Sequence, residues 1–313
     1  MRFIALAALV AVAGCKKEKS QDEVRTGPGQ KGPDKKGEEE LPEIQTIEVA
    51  PGISMLVGAG GNIAVVTSPR GALVVDDQIP PMRDRVVAAI AKLGGPARLV
   101  LNTHWHNDHS GNNEALAGEG AVIVAHENVR KRMSTEQVNA MFDKKTPPSP
   151  DAALPVVTFT EEITLHWGGQ EIHAIHVAPA HTDGDAIIHF PKGNVIHTGD
   201  TYFNGGYPFI DLSTGGSVDG VIAAADRVLA LADGSTKIIP GHGPLSNRSE
   251  LEAYRAMLVA ARDRVRALVA KKKSVEDIVA ARPTAEWDDR LGKGFVDPPT
   301  FIQILVEDAK RAP

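Results

Sequence analysis

The sequence predicts an α/β fold in which two β-sheets pack face to face and helices cover their outer surfaces. Short runs of β-branched and aliphatic residues form two sets, separated by turn signals such as Pro-Gly and Gly-Gly. Helical patterns follow each set. The hydrophobic content of 42% over 313 residues is that of a globular protein with a large core. We therefore predict one folded domain over residues 41–313.

The first stretch, MRFIALAALVAVAGC, predicts an export signal. Its apolar run is too short to span a bilayer, which takes about 20 residues, and has the length of a signal-peptide core. Cys15 is the only cysteine, so it has no disulfide partner within the chain. It follows Val-Ala-Gly, a pattern that resembles the lipobox of bacterial lipoproteins. We predict a signal peptide over residues 1–15 and a lipid on Cys15. Lys16 after it favours the periplasmic side of the outer membrane.

Residues 16–40 predict a flexible tether. They contain one branched aliphatic residue, Val24, among Lys, Glu, Asp, Gly, Pro and Gln, and cannot bury enough apolar surface to offset the entropy of ordering. The net charge of the whole chain is −6, and the folded part has no Lys/Arg-rich run. These features exclude a nucleic-acid partner and leave the lipid on Cys15 as the only predicted contact with a membrane.

The first half of the folded part begins with four β-type runs, IQTIEVA, ISMLVG, NIAVVTS and ALVVDD. Pro80-Pro81 then opens a helical pattern, MRDRVVAAIAKL, which ends at Gly94-Gly95. A buried-strand run, ARLVL, a short helix, NNEALAG, and a strand, AVIVA, follow. Helical stretches are expected from there to about residue 143.

The second half begins after a predicted loop, KKTPPSPDAALP. Five β-type runs come next: VVTFT, ITLHW, QEIHAIHVA, DAIIHF and NVIHTG. Two helical stretches flank a last strand, TKIIP. A capping box at residues 249–252 predicts the start of a long helix, and Ser274 repeats this signal before the next one.

The densest cluster of reactive side chains, THWHNDH, directly follows ARLVL. His104 and His106 are two residues apart, so their side chains can converge on one point. Asp108 and His109 are adjacent and must diverge, which suits them to a neighbouring second point. The stretch therefore favours two metal ions over one. Imidazole and carboxylate ligands together fit zinc first, with iron or manganese as the alternatives.

Three further ligand candidates lie where a predicted strand meets a loop. His181 opens HTDGD, Asp200 ends NVIHTGD, and His242 lies in PGHGP. Loops at the ends of buried strands are the positions at which a rigid scaffold presents reactive groups. A glycine beside Asp200 and His242, and three residues after His181, permits close approach of the backbone.

This combination of motifs resembles that of the metallo-β-lactamase superfamily, in order and context, over nearly all of residues 41–313. The resemblance implies an αββα sandwich of two mixed β-sheets flanked by helices, with the site at one edge. It also implies two zinc ions. The ligands of the first would be His104, His106 and His181, those of the second Asp108, His109 and His242, with Asp200 bridging both.

The resemblance implies a hydrolase that cleaves an ester, thioester, lactone or amide-type bond in a small molecule. Two metal ions about 3.5–4 Å apart hold a hydroxide as nucleophile and polarise the oxygen that gains charge. Asp108 would be the catalytic residue that orients this nucleophile and moves its proton. No Gly-x-Ser-x-Gly motif offers a competing serine nucleophile.

Four other residues are expected to support the site or contact the substrate. Asp76 ends a strand, where members of this family carry an aspartate that supports the site from behind. Asp185 is expected to hold the His181 loop by hydrogen bonds. Tyr202 and Tyr207 belong to the aromatic segment TYFNGGYPFID, which we interpret as a substrate wall. The remaining histidines are interpreted as structural: His126, His166, His173, His176, His189 and His197.

Other functions on the same fold remain open at this point. A β-lactamase would suit a periplasmic protein, but Asp200 differs from the subclasses that carry a cysteine there. An iron-dependent redox enzyme could use the same ligands, although the glutamate that di-iron oxygen reductases carry in place of His106 is missing. A lipoprotein that only carries metal would tolerate the loss of a ligand, yet all seven are present.

Overall fold

The computed structural model describes residues 41–139, 141 and 144–311. The predicted signal peptide, the lipidated Cys15 and the tether lie outside these residues. None of the helices that the structure describes is both long and apolar enough to cross a membrane.

The strands of the described residues are numbered in chain order. They are β1 (Gln45–Ala50), β2 (Ile53–Val57), β3 (Ile63–Ser68), β4 (Gly71–Val75), β5 (Ala97–Leu101), β6 (Val122–His126), β7 (Gln137–Asn139), β8 (Lys144–Thr146), β9 (Val157–Phe159), β10 (Glu162–Trp167), β11 (Gln170–His176), β12 (Ala186–Phe190), β13 (Val195–His197), β14 (Lys237–Ile239) and β15 (Ser246–Asn247).

The α-helices of the same residues are numbered likewise. They are α1 (Arg83–Gly94), α2 (Asn107–Ser110), α3 (Asn113–Gly118), α4 (Glu127–Met133), α5 (Val218–Leu231), α6 (Arg248–Ala270), α7 (Val275–Ala280), α8 (Ala285–Leu291) and α9 (Pro298–Arg311).

Two mixed sheets form the centre of the domain. The first has the strand order β1-β2-β3-β4-β5-β6-β9, antiparallel up to β4 and parallel beyond it. The second has the order β10-β11-β12-β13-β14-β15, with β13 and β14 as its parallel pair. Parallel pairs bring the carboxyl ends of their strands to one edge of a sheet, where loops can present side chains together.

Three apolar clusters define four layers. The middle cluster joins the facing sides of the two sheets, with Met55 and Leu101 from the first sheet and Ile188 from the second. On the outer side of the first sheet, α1 and α3 bury Ile90 and Leu116. On the outer side of the second sheet, the buried residues of α5, α6 and α9 form the largest cluster. The structure thus confirms the predicted αββα sandwich of two mixed sheets flanked by helices.

The segment after α4 differs from the prediction. The sequence predicts helical stretches to about residue 143, but α4 ends at Met133, and β7 pairs with β8 in an antiparallel register. The side chain of Gln137 donates to the carbonyls of Arg132 and Thr135. Such side-chain bonds to the backbone compete with helical ones, which explains why the helix ends there.

The long helix α6 also begins earlier than predicted. The capping box was placed at Ser249, but Asn247 is the N-cap residue, and its side chain accepts from the backbone N–H of Glu250 at 3.1 Å. Asparagine and serine are both strong N-cap residues, so the sequence pattern fits either start. The predicted cap at Ser274 is confirmed, since its side chain accepts from the Asp277 N–H.

The two sheets are linked where their parallel strands end. The backbone N–H of Ala186 in the second sheet donates to the carbonyl of Thr103 after β5, at 2.9 Å. Beside this link, the N–H of Asn62 before β3 donates to the carbonyl of Gly241 after β14, at 2.8 Å. These bonds attach the loop after β5 to β12 and the loop after β14 to the residue before β3, at the edge that carries the predicted ligands.

Candidate metal centre

All seven predicted ligands meet at this edge of the sandwich. Three groups of side chains there have ligand atoms within 4.8 Å of one another, which is close enough to share an ion. The groups are His104–His106–His181, His104–His109–Asp200 and Asp108–His109–His242. We call the first the inner triad and the last the outer triad. Asp200 lies between the triads, as the resemblance implies for a bridging ligand.

The ring of His104 is oriented through a hydroxyl relay. Asp76 accepts from the backbone N–H of Thr103 and from its hydroxyl, both at 2.7 Å. Because that hydroxyl donates to Asp76, it must accept from His104 Nδ1, which lies 3.0 Å away. The proton of the neutral ring is therefore on Nδ1, and Nε2 presents a lone pair to the site.

Asp76 orients the ring of His109 directly. Its Oδ2 lies 2.7 Å from His109 Nδ1, so this nitrogen donates and Nε2 faces the ligand cluster. Asp76 itself has a positive φ of 62°, as does Gln78 with 72°. Such backbone conformations are uncommon for residues other than glycine and concentrate at functional sites. The expected supporting role of Asp76 thus corresponds to contacts with both halves of the site.

One loop orients the two remaining rings of the inner triad. The carbonyl of Phe209 accepts from His181 Nδ1 at 2.8 Å, which leaves His181 Nε2 as the inner lone pair. Two residues on, Asp211 Oδ2 lies 3.1 Å from His106 Nε2, so His106 presents Nδ1 instead. Asp211 was not recognised in the sequence as a site residue. It is buried and also accepts from the N–H of Ser213.

Close packing around the ligands depends on glycine at two positions. A Cβ on Gly61 would collide with the ring of His109, and one on Gly241 would collide with Asp200 Oδ1. The side chain of Gln78 holds the first of these segments, donating to the carbonyl of Gly61 and accepting from the N–H of Gly60. Glycine is thus required where the backbone approaches the ligands.

The carboxylates of the centre are strongly biased toward the charged form. Although burial opposes ionisation, the charge of His109 and further charges and contacts of His242 hold the pKa values of Asp108 and Asp200 well below their ordinary range. His242 responds in the opposite sense: burial lowers its pKa, but Asp200 and Asp108 raise it to about 9. In the absence of metal this half of the site therefore binds protons tightly.

The buried histidines of the inner triad behave differently. Burial lowers the pKa of His181 to about 4, and burial together with the charge of His109 lowers that of His104 well below 6.5. Neutral imidazole is the form that binds a metal ion. These rings are thus held in a state ready for coordination.

The donor set fits a divalent metal. His104 Nε2 is buried and has no hydrogen-bond partner within the described residues. Asp200 Oδ1 is buried as well, and it lies 2.9 Å from His109 Nε2 without the geometry of a hydrogen bond. His106 Nδ1 and His181 Nε2 approach to 2.7 Å, although the outer hydrogen bonds make both of them lone pairs. Two lone pairs at this distance repel each other unless a cation lies between them. Nitrogen and carboxylate donors that converge in this way are typical of zinc sites.

Asp185 holds the His181 loop in the way the sequence predicts. Its Oδ2 accepts from the backbone N–H groups of His181 and Thr182, at 2.6 and 2.8 Å. Burial raises the pKa of Asp185 to about 7, against the effect of these hydrogen bonds. The residue supports the loop and does not belong to any of the three ligand groups.

The aromatic segment after Asp200 divides between core and site. Tyr202 and Tyr207 are buried in the cluster beneath the second sheet, and their hydroxyls bond to Ser246 and Asp288. This position is not that of the substrate wall expected for them. Phe203 instead stacks on the ring of His242, with centroids 5.2 Å apart, and Phe209 lies 5.8 Å from the ring of His181.

The six remaining histidines lie outside the three ligand groups found among the described residues. Several have structural partners that explain them. His197 accepts from the Gly199 N–H and contacts the carbonyl of Asn62, which braces the loop that carries Asp200. His126 stacks on His176 with centroids 3.8 Å apart.

Comparison with known proteins gives a consistent family match. Residues 56–260 match the family model of the metallo-beta-lactamase superfamily. A hydroxyacylglutathione hydrolase of Nitrosococcus oceani is 26% identical over 243 residues, which cover 75% of this chain and 83% of that protein. Another, from a Synechococcus species, is 28% identical over 137 residues, or 43% of this chain and 45% of that protein.

A solved structure supports the same fold. The metallo-beta-lactamase from Pontibacter korlensis superimposes with a TM-score of 0.56 and 19% sequence identity, covering 69% of this chain and 99% of that one. At this level of identity the likeness concerns the fold alone.

Proposed function

The chain belongs to the metallo-β-lactamase superfamily and is a metal-dependent hydrolase, and we propose that it uses two zinc ions to cleave a small-molecule ester, thioester, lactone or amide bond. Among these bonds we favour the thioester, because the two relatives described above are named hydroxyacylglutathione hydrolases. The observation that carries the proposal is that histidine nitrogens and the oxygens of two ionised aspartates lie together in three groups, each close enough to share an ion.

Each half of the site would hold one ion. The inner triad offers His104 Nε2, His106 Nδ1 and His181 Nε2, and the outer triad offers Asp108, His109 and His242. Asp200 would serve both. Divalent zinc, when bound, lowers the pKa of water toward neutrality and stabilises developing negative charge on a carbonyl oxygen.

Asp108 is the residue we assign to proton transfer. Its side chain is 34% exposed, whereas Asp200 is buried, so it lies at the solvent-facing side of the centre. Its Oδ2 is 3.2 Å from His242 Nε2 and 3.6 Å from His109 Nε2. As an ionised carboxylate it can accept a hydrogen bond from an attacking water, orient it, and pass its proton to the leaving group.

Metal content and a substrate panel test this assignment. We expect two zinc ions per purified chain by elemental analysis. Thioesters are expected to be the best substrates, above lactones, phosphodiesters and the β-lactam nitrocefin. Asp108→Ala should lower kcat by at least about 100-fold. Asp263→Ala, on the exposed face of α6, is the matched control and should not change it.

Three outcomes would contradict the proposal. One iron per chain would favour the redox alternative, and turnover that survives Asp108→Ala would remove the proton-transfer role. Nitrocefin as the best substrate of the panel would favour the β-lactamase alternative.

We also propose that the mature protein is anchored in the outer membrane, facing the periplasm, through a lipid on Cys15. This proposal rests on the N-terminal sequence alone. Membrane fractionation of the wild type and Cys15→Ser tests it: the variant should move to the soluble fraction or stay unprocessed. Equal distribution of both proteins would exclude the anchor.

A further inference from the structure

A large apolar side chain lies exposed beside the metal centre. Phe295, between α8 and α9, is 81% exposed, the highest value for a large hydrophobic residue in the part of the chain that the structure describes. Exposed apolar surface beside polar groups is typical of interaction and ligand-binding sites. The position of Phe295 therefore needs a physical explanation.

Phe295 is connected to the ligands through aromatic contacts. Its ring meets that of Phe209 edge to face, with centroids 6.2 Å apart and planes at 89°. Phe209 in turn lies 6.0 Å from the ring of His106 and 5.8 Å from that of His181. A row of aromatic rings thus leads from the inner triad to solvent.

A third phenylalanine extends this surface toward the outer triad. Phe203 stacks on His242 with planes at 13° and lies 6.1 Å from the ring of His181. We call Phe203, Phe209 and Phe295 together the phenylalanine wall. It borders both triads, on the side where His242 is itself partly exposed.

The loop that carries Phe295 is fixed at both ends. Before it, the carbonyl of Leu291 accepts from the N–H of Tyr207 at 3.2 Å, and the ring of Tyr207 stacks on Phe301 of α9. After it, Val296 is buried in the same cluster. The exposure of Phe295 is thus imposed by its anchored neighbours.

We propose that the phenylalanine wall binds an apolar acyl or aryl group of the substrate, next to the bond that is cleaved. This inference rests on the proposed hydrolase function and narrows its substrate class. A flat or branched apolar group would cover Phe295 and exclude water from the wall. The substrate class is therefore an apolar or aromatic acyl thioester or ester, in preference to one with a short polar acyl group.

A series of acyl thioesters tests this specificity. Acetyl, butyryl, hexanoyl and phenylacetyl thioesters of one thiol are compared on the zinc-loaded wild type and Phe295→Ala. We expect the wild-type kcat/KM to rise along the series. The variant should lose roughly tenfold on the phenylacetyl substrate and less than about twofold on the acetyl one. The loss should appear mainly in KM, since the wall binds substrate and transition state alike.

Two further variants make the comparison specific. Phe295→Leu keeps an apolar side chain and should restore most of the preference. Val156→Ala alters another exposed apolar residue, 70% exposed, which is not part of the wall, and should behave as wild type. Since Phe295 is exposed, its replacement is not expected to impair folding, which the melting temperature checks.

A binding measurement separates this inference from the proposed function. Benzyl mercaptan and 2-mercaptoethanol are titrated into the zinc-loaded protein by calorimetry, without any turnover. We expect the aromatic thiol to bind roughly tenfold more tightly to the wild type than to Phe295→Ala, and the small thiol to bind both equally.

The outcomes are distinct. If no acyl compound is hydrolysed, but the aromatic thiol binds the wild type more tightly than Phe295→Ala, the proposed function is wrong and the binding role of the phenylalanine wall is supported. If hydrolysis occurs without dependence on the acyl group, and the thiols do not discriminate, the wall is overturned and the function stands. A dimer by light scattering that Phe295→Ala dissociates would assign Phe295 to a subunit interface and also overturn the inference.

Discussion

The inner and outer triads use similar ligands but are held differently. Every ring of the inner triad has an outer hydrogen bond: His104 to Thr103, His106 to Asp211 and His181 to the carbonyl of Phe209. In the outer triad His109 is held in the same way by Asp76, but Asp108 and His242 have side chains 34% and 31% exposed.

This difference suggests a division of roles. Rings with fixed tautomers and little access to water hold an ion in one geometry. Partly exposed ligands leave an open face, which a catalytic site requires for substrate and water. The inner triad is therefore the better candidate for a permanently occupied position, and the outer triad for the side that faces the reaction.

Replacing the residue shared by both triads should have the largest effect. Asp200 Oδ1 lies 2.9 Å from His109 Nε2, and its Oδ2 lies 3.5 Å from His181 Nε2 and 3.4 Å from His242 Nε2. We expect Asp200→Ala to lower the affinity for both ions, and the rate, by more than about 100-fold, because even an orienting partner costs 10–100-fold. Elemental analysis and steady-state kinetics measure these losses. Two tightly bound ions at the wild-type rate would contradict a shared ligand.

A variant that perturbs only one triad separates metal binding by the inner triad from metal binding by the outer triad. Asp211→Asn keeps the side-chain size but removes the charge that orients His106. We expect it to weaken one of two binding steps by about tenfold, within the usual 10–100-fold range for such partners. Asp76→Asn should weaken both steps, since Asp76 contacts Thr103 and His109. Competition with a chromophoric chelator resolves the two steps.

A matched control belongs to this experiment. Asp219→Asn removes a carboxylate that pairs with Arg262 and Arg266 and lies in none of the ligand groups, so both steps should stay unchanged. Equal weakening of both steps by Asp211→Asn would show that the two triads do not load independently.

The smallest expected effect is a pH dependence of the metal-free protein. The pKa of His242 is raised to about 9, because Asp200 and Asp108 outweigh the effect of burial, against about 6.5 in an unfolded chain. Protonated His242 therefore stabilises the fold fully below pH 6.5, and this contribution is lost as the pH rises through about 9. We expect the melting temperature of the metal-free protein to fall over this window.

Zinc-loaded protein serves as the comparison. When a zinc ion is bound, it replaces the proton on His242, so the fall of the melting temperature with pH should disappear. His166→Gln, which changes an exposed histidine outside the ligand groups, should retain the fall. A melting temperature that stays constant from pH 6.5 to 9 in metal-free protein would show that the pKa of His242 is not raised in the folded state.

The sequence allowed the ligands to be predicted because their pattern is local. Four of the seven candidate ligands lie within six residues, and each of the others lies in a loop shortly after a β-type run. The sequence does not predict a role for Asp211, because its partner His106 is 105 positions away in the chain. No spacing rule joins them, and only the folded loop brings the carboxylate to the ring.

In the aromatic segment after Asp200, too, the sequence does not show which side chains face the site. Tyr202 and Phe203 are neighbours, and at Tyr202 the backbone is extended, with φ −141° and ψ 126°. Adjacent side chains then point to opposite sides. Tyr202 therefore enters the core while Phe203 reaches His242. The sequence predicted an aromatic cluster near the site but could not tell which rings face it.

The layout along the chain separates two kinds of change. All seven candidate ligands fall within residues 56–260, the part that matches the superfamily, whereas Phe295 lies beyond it on a loop anchored by the last two helices. Mutations in that loop can alter which molecules are accepted without altering the groups that perform the chemistry. Enzymes that descend from one ancestor can thus differ in substrate specificity while they catalyse the same type of reaction.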